Sequence, residues 1–256
     1  MDVLTETRDA LKQVCREENV DLASPVTVRR LSPDEAIGGK AGKDFVLCRG
    51  KEVVIEARLG AARGQAFTDQ PSEWTGTLGE VFTMSLDEVR NRAIVVAVLN
   101  ALAGKLGLAS HVIHCRQEDP VRCGPELTAE LRRRFPKVKR ILLVGLQPAI
   151  LAALAEELGT GGVRVVDLDP DNIGQVKAGV RVGNGAADMS DDVRWCELML
   201  VTGSSVVNNT LDELLALSQD ASKPLVFFGN TIAAVAAVAD LERICPFGGH
   251  GGMLVH

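Results

Sequence analysis

From Lys139 onward the chain alternates short apolar runs with stretches whose apolar residues recur at helical spacing. Lys139–Val144, Val163–Val166, Leu198–Val201 and Leu225–Phe228 are the runs, and each ends in a polar or glycine turn. The turns are Gly145-Leu146-Gln147-Pro148, Asp167-Leu168-Asp169-Pro170-Asp171-Asn172, Thr202-Gly203-Ser204-Ser205 and Gly229-Asn230-Thr231. A strand that is apolar at successive positions is covered on both faces, as in parallel sheets, and the helical stretches supply the cover. Strands are therefore expected at about 139–144, 163–167, 198–202 and 225–229, in one mainly parallel sheet. In such a sheet the turns after the strands share one edge, where ligands collect beside helix N-termini.

Earlier in the chain the pattern differs. Leu4, Leu11, Val14 and Cys15 form a helical stripe within Asp2–Glu18, and Val26–Leu31 reads as a strand. Ser32-Pro33-Asp34-Glu35 has the layout of a capped helix start, with Pro at N1 and Glu at N3. Phe45–Cys48 and Glu52–Arg58 flank Arg49-Gly50-Lys51 at hairpin spacing. Ser85-Leu86-Asp87-Glu88 resembles a capping box for a helix reaching about Leu106; apolar nearly all round from Ala93 to Ala103, it should be buried. Gly107–Pro120 reads as a connection, and Pro125 as the opening of a helix to about Phe135. The expected fold class is α/β, a mainly parallel, doubly wound sheet preceded by a smaller α+β module. Two domains are expected, 1–110 and 111–256.

Composition narrows the function. The chain has 256 residues, a formal charge of −6 and no basic run longer than Arg132-Arg133-Arg134, so no nucleic acid is expected as partner. That triplet falls where a helix should end, and cations there complement the helix dipole. The N-terminus is acidic and lacks a signal-peptide layout; the apolar stretches are too short to span a bilayer, so no membrane is expected either. Six cysteines occur without a C-x-x-C pair, which fits free thiols and a cytoplasmic protein. Homo-oligomerisation stays open.

Taken in order, several stretches resemble one family, that of putative heavy-metal chelation. They are Gly64-Gln65-Ala66-Phe67-Thr68-Asp69, Asn100-Ala101-Leu102, Val144-Gly145-Leu146-Gln147-Pro148 and Asp167-Leu168-Asp169-Pro170. Val201-Thr202-Gly203-Ser204, Asn208-Asn209-Thr210, Gly229-Asn230-Thr231-Ile232-Ala233 and Cys245-Pro246 complete the series. The resemblance implies an enolase-N-terminal-like module followed by a Rossmann-like one, and a role in binding a heavy metal or a metal-chelating molecule.

The turns carry the candidate chemistry. Asp167 lies 22 residues beyond Gly145, near the spacing of a ribose-binding carboxylate, yet Leu146, Gln147 and Pro148 replace the glycines a pyrophosphate needs. A dinucleotide is disfavoured; an adenosyl-type molecule is not. Thr202, Gly203, Ser204, Asn208, Gly229, Asn230 and Thr231 offer hydroxyls, amides and glycines of the kind that greet an anion. Thr210 with Glu213 has capping-box spacing. One concavity lined by Gly145, Gln147, Asp167, Asp169 and these residues is expected, closed from the other side by Thr68-Asp69 or by the tail around His250. Among soft metal ligands, His111, His114, Cys115 and Cys123 share a linker, and Cys245 with His250 forms a loose pair on the tail, the metal candidate. Asn100 on its apolar helix is expected to bond nearby backbone, and Glu73 and Glu80 to be solvated. No catalytic triad is legible. The expected function is binding of a small anionic or metal-chelating ligand, or of a heavy metal, between the modules. The alternative is a transferase or lyase using an adenosyl-type cofactor.

Overall fold

A computed structural model describes residues 2–38, 52–117, 119–187 and 189–251. The strand expected at Phe45–Cys48 and its hairpin turn lie outside them. The protein is of mixed α/β class, with an antiparallel sheet and a larger, mainly parallel one. The antiparallel sheet contains β1 (Pro25–Arg30), β2 (Val53–Leu59), β3 (Ala62–Thr68) and β4 (Trp74–Thr77) in the order β3-β2-β1-β4. Two of these strands, β3 and β4, escape the sequence pattern. In β3 the run Gly64-Gln65-Ala66 is buried at every position, so no polar face alternates with an apolar one. Its cover is the helix Val89–Lys105, which approaches so closely that a Cβ on Gly64 would lie 2.2 Å from the Ala101 nitrogen.

That helix is buried over nearly its whole length, as its all-round apolar sequence requires. It starts later than expected. The Ser85–Glu88 capping box does not form, because the Ser85 hydroxyl donates to Asp87 (2.6 Å) and Glu88, itself at the N-cap, accepts from Arg90 and makes no capping bond. The Ser32–Glu35 box does form. The helix ending in Arg132-Arg133-Arg134 begins at Asp119, with Pro125 inside it instead of opening it. The N–H that Pro125 lacks would have met the carbonyl of Val121, an exposed residue that water can satisfy.

The larger sheet has the order β11-β10-β9-β5-β6-β8-β7. Its central strands are the four expected ones, all parallel: β5 (Ile141–Val144), β6 (Val163–Asp167), β9 (Leu198–Thr202) and β10 (Leu225–Phe228). Short strands β7 (Val176–Lys177), β8 (Val180–Asn184) and β11 (Arg243–Ile244) extend it at the edges. Alternate residues of each central strand serve different cores. Ile141, Leu143, Leu198, Leu200, Val226 and Phe228 pack with Leu127, Leu131, Ile150 and Leu154 of the helices Asp119–Arg134 and Pro148–Leu158. Leu142, Met199, Val201 and Phe227 face the opposite way, into a core continuous with Leu4, Leu11, Ile55, Leu99 and Ala233 from the first part of the chain. Strand order reverses between β5 and β9, since β6 follows β5 to one side and β10 follows β9 to the other. Crevices form at such a reversal.

A buried amide stitches the two sheets together. Asn100 donates to the carbonyls of Gln65 (2.9 Å) and Thr231 (2.8 Å) and accepts from the Ala234 N–H (2.8 Å). As the sequence suggested, it bonds backbone. The groups it joins, however, lie 35 to 134 residues away.

Candidate functional site

Parallel register sets Val144, Asp167, Thr202 and Phe228 at the same edge of the sheet, and the turns beyond them surround one cavity of about 630 Å³. That volume suits a small organic molecule. Gly145, Gln147, Asp167, Asp169, Thr202, Gly203, Ser204, Asn208, Gly229, Asn230 and Thr231 all line it. Among residues expected to close the far side, Asp69 lines it. Thr68 does not: it ends β3, is buried, and its hydroxyl accepts from the Gln70 N–H (3.0 Å). Cys245 lines the cavity too, whereas His250 lies outside, its ring 5.1 Å from that of His111. Glu80 instead caps the helix Leu78–Val81, and neither it nor Glu73 lines the cavity.

Much of the polar chemistry of these turns is spent inside the protein. The Asp167 carboxylate accepts from the backbone N–H of Leu146 (2.6 Å) and Asp169 (2.7 Å) and from the Asn172 amide (3.3 Å). One turn is thereby tied to the next. Gln147 caps its own helix by accepting from the Ile150 N–H (2.6 Å), and the Thr231 hydroxyl accepts from the Phe67 N–H (3.1 Å). Thr202 accepts from the Ser204 N–H (3.4 Å). Thr210 does not cap through its side chain; its backbone lies in the helical region, where an N-cap should be extended, and its hydroxyl donates to the Ser205 carbonyl. Gly145 has a φ of +89°, and a Cβ there would come 2.5 Å from Thr202 Cγ2, so the fold itself requires this glycine. The backbone donors of Leu146, Ile150 and Ser204 are thus spent on side-chain oxygens of these turns.

Of the opposite wall, the sequence singled out Asp69 and Cys245 as site residues and missed most of the rest. Glu52 precedes β2, and Phe67 and Asp69 lie at the end of β3, which pairs with it. His114 and Cys115 come from the connection, and Cys123 from the helix that follows. The linker group therefore divides, with His111 turned to the tail and His114, Cys115 and Cys123 to the cavity, beside Cys245. Burial raises all three thiols, Cys123 to about 12, and their proximity to one another adds to the effect on Cys115 and Cys123, so they are protonated at neutral pH. Cys15, Cys115, Cys123, Cys196 and Cys245 are free cysteines.

Five carboxylate residues line the cavity, Glu52, Asp69, Asp167, Asp169 and Glu213, and among the described lining residues there is no Lys or Arg. Burial, reinforced by Asp167, Asp69 and Asp169, raises Glu52 to about 7. His114 adds no positive charge at neutral pH, because burial lowers it to about 4. The described lining is therefore acidic. Among the described residues, however, no three His, Cys, Asp or Glu side chains are grouped so that they could hold a metal ion. No helix among them is long and apolar enough to cross a membrane.

The fold and the cavity define an α/β protein with a ligand-sized crevice at the carboxyl edge of a parallel sheet. Residues 128–241 match the model of the DUF364 family, described as putative heavy-metal chelation, so the resemblance carried by the turns holds across that segment. The structure is similar to that of a DUF364-family protein of unknown function from Pyrococcus horikoshii. The TM-score is 0.54 at 16% identity, over 90% of this chain and 80% of that one. A DUF364-family protein of unknown function from Desulfitobacterium hafniense gives 0.47 at 16% identity, over 75% of this chain and 73% of that one. No curated protein matches the chain.

Proposed function

We propose that the chain binds a small, positively charged, metal-bearing molecule in this cavity, between an enolase-N-terminal-like module (1–110) and a Rossmann-like module (111–256). The sign of the cavity carries the proposal: five carboxylate residues line it and no described Lys or Arg does. A charged guest neutralises their mutual repulsion in a partly enclosed space, where screening is weak. The metal is suggested by the family description over 128–241 and by the thiols of Cys115, Cys123 and Cys245, which are soft donors. A bare ion fits poorly, since no ligand set stands ready and the cavity is far larger than an ion. An ion that brings its own organic ligands fits both facts. The anionic guest expected from the turns is set aside, because the field has the wrong sign.

Native mass spectrometry of freshly purified protein, with metal analysis of the same sample, tests this. The expected result is one bound organic mass together with about one equivalent of metal, both lost on treatment with a strong chelator. A metal-free anion in the cavity, or metal elsewhere on the protein, would end the proposal. An adenosyl-type cofactor for a transferase or lyase ranks second. Its support is Asp167 at the end of β6 on the cavity wall. Against it, both oxygens of that carboxylate already accept hydrogen bonds.

A further inference from the structure

We infer that Asn230 Oδ1 and Ser205 Oγ form a subsite of this cavity for a protonated amine or amidine on an apolar body. The inference rests on the cavity being the binding site and names the organic group that enters it. Both residues line the cavity and both are almost fully buried, at 1% and 2% exposure. Neither atom has a hydrogen-bond partner among the described residues. Buried polar atoms are nearly always paired, so these two orphans on residues that line one cavity, with His114 Nδ1 as a third, point to a partner that arrives from outside.

The orientation of the Asn230 amide decides what that partner is. Its nitrogen donates to the Gln65 carbonyl (3.2 Å), and a flipped amide would set oxygen against oxygen there. The carbonyl is therefore the end left over, and it can only accept. The guest must donate. Ser205 can accept as well, and its 3-10 turn, Gly203–Val206, packs close to the Asn230 turn: a Cβ on Gly203 would come 2.9 Å from the Ile232 nitrogen. A carboxylate or phosphate would meet an acceptor in Asn230 and a field of like charge from Glu52, Asp69 and Asp167. A neutral hydroxyl would gain nothing from that field. A cationic N–H group satisfies the orphans and the field together. Phe67, Val144, Leu146, Val166 and Phe228 give the rest of the guest an apolar wall.

Benzylamine, benzamidine, benzyl alcohol and benzoate are suitable probes, titrated into the full chain by calorimetry. The amine and the amidine should bind, with the alcohol much weaker and benzoate absent. Asn230→Leu should weaken the amine about tenfold, and Ser205→Ala about threefold, with the alcohol barely affected. Ser205→Ala removes only an orphaned hydroxyl, so it keeps the test open if Asn230→Leu folds poorly. Benzoate binding as well as benzylamine, no binding by the amine or amidine, or an amine affinity unchanged in Ser205→Ala would overturn the inference. Protein that carries its metal-bearing molecule yet ignores the amines would sink this subsite and leave the broader proposal standing. Amine binding by protein that never holds metal would do the reverse.

Discussion

Asn100 and Asn230 reach the same carbonyl, that of Gln65, from two regions of the molecule: the seam between the sheets and the lining of the cavity. At the seam, the Asn100 nitrogen is shared between the Gln65 and Thr231 carbonyls, and its oxygen takes the Ala234 N–H. In the cavity, Asn230 uses its nitrogen, and its oxygen has no partner among the described residues. Both residues are fully buried. Burial of a polar side chain therefore says little by itself; whether its bonds are completed from within separates a staple from a receptor.

The largest expected effect breaks the seam. Asn100→Ala strands the Ala234 N–H and removes the donors to Gln65 and Thr231, at a cost of about 3–4 kcal/mol in denaturant unfolding. Asn230→Ala loses one bond and no satisfied acceptor, so about 1 kcal/mol is expected. Equal costs for the two substitutions would dissolve the contrast.

Next comes Asp167→Ala, a cavity residue that behaves like the seam. It releases the Leu146 and Asp169 amides and should cost about 2 kcal/mol, so lost ligand binding in this variant would reflect a loosened edge as much as a lost contact. Stability unchanged within error would mean that the carboxylate is a receptor group after all.

Glu52 gives a smaller, pH-dependent effect. Its folded pKa is raised to about 7 from an ordinary value of 4.5, so the folded protein holds that proton more tightly than the unfolded chain. The resulting stability is complete below about pH 4.5 and is lost as pH rises through 7. Glu52→Gln should therefore raise the melting temperature by about 2–4 °C at pH 8 and leave it unchanged at pH 4, measured without ligand. A benefit that is the same at both pH values would show that the carboxylates do not repel one another across the cavity. Smallest in stability is Asn208→Ala. Its side chain makes no hydrogen bond among the described residues, so a change within about 0.5 kcal/mol is expected, alongside reduced ligand content in native mass spectra. A large loss of stability would assign Asn208 to the seam class.

The wall built by the second half of the chain was legible because it follows from strand polarity. Four apolar runs fixed the parallel strands, and the residues after them had to share an edge. Of the facing wall, Asp69 and Cys245 were expected site residues, but Glu52, Phe67, His114, Cys115 and Cys123 were not placed there, since they come from strand ends, a connection and a helix. His114 is held to β3 through its N–H, which donates to the Gln65 side chain (2.8 Å). Helix caps show the same limit at short range. Ser32 and Thr77 cap because their backbones are extended, at ψ 159° in each, whereas Thr210, with a similar sequence signal, sits at ψ −3° and cannot. The residue types propose a cap; the entry angle of the chain decides it.

By itself, the sequence determined the α/β class, the parallel pairing of the central strands and the set of turns along their edge, all consequences of local apolar periodicity and turn chemistry. Tertiary structure decided the character of the cavity. Hydroxyls, amides and glycines counted along the chain suggested a home for an anion. Folding spent backbone N–H donors of these turns on the Asp167, Gln147 and Thr202 side chains and set Glu52 and Asp69 on the facing wall. The sign of a field depends on distances between charges remote in sequence, and only the packed chain sets those distances.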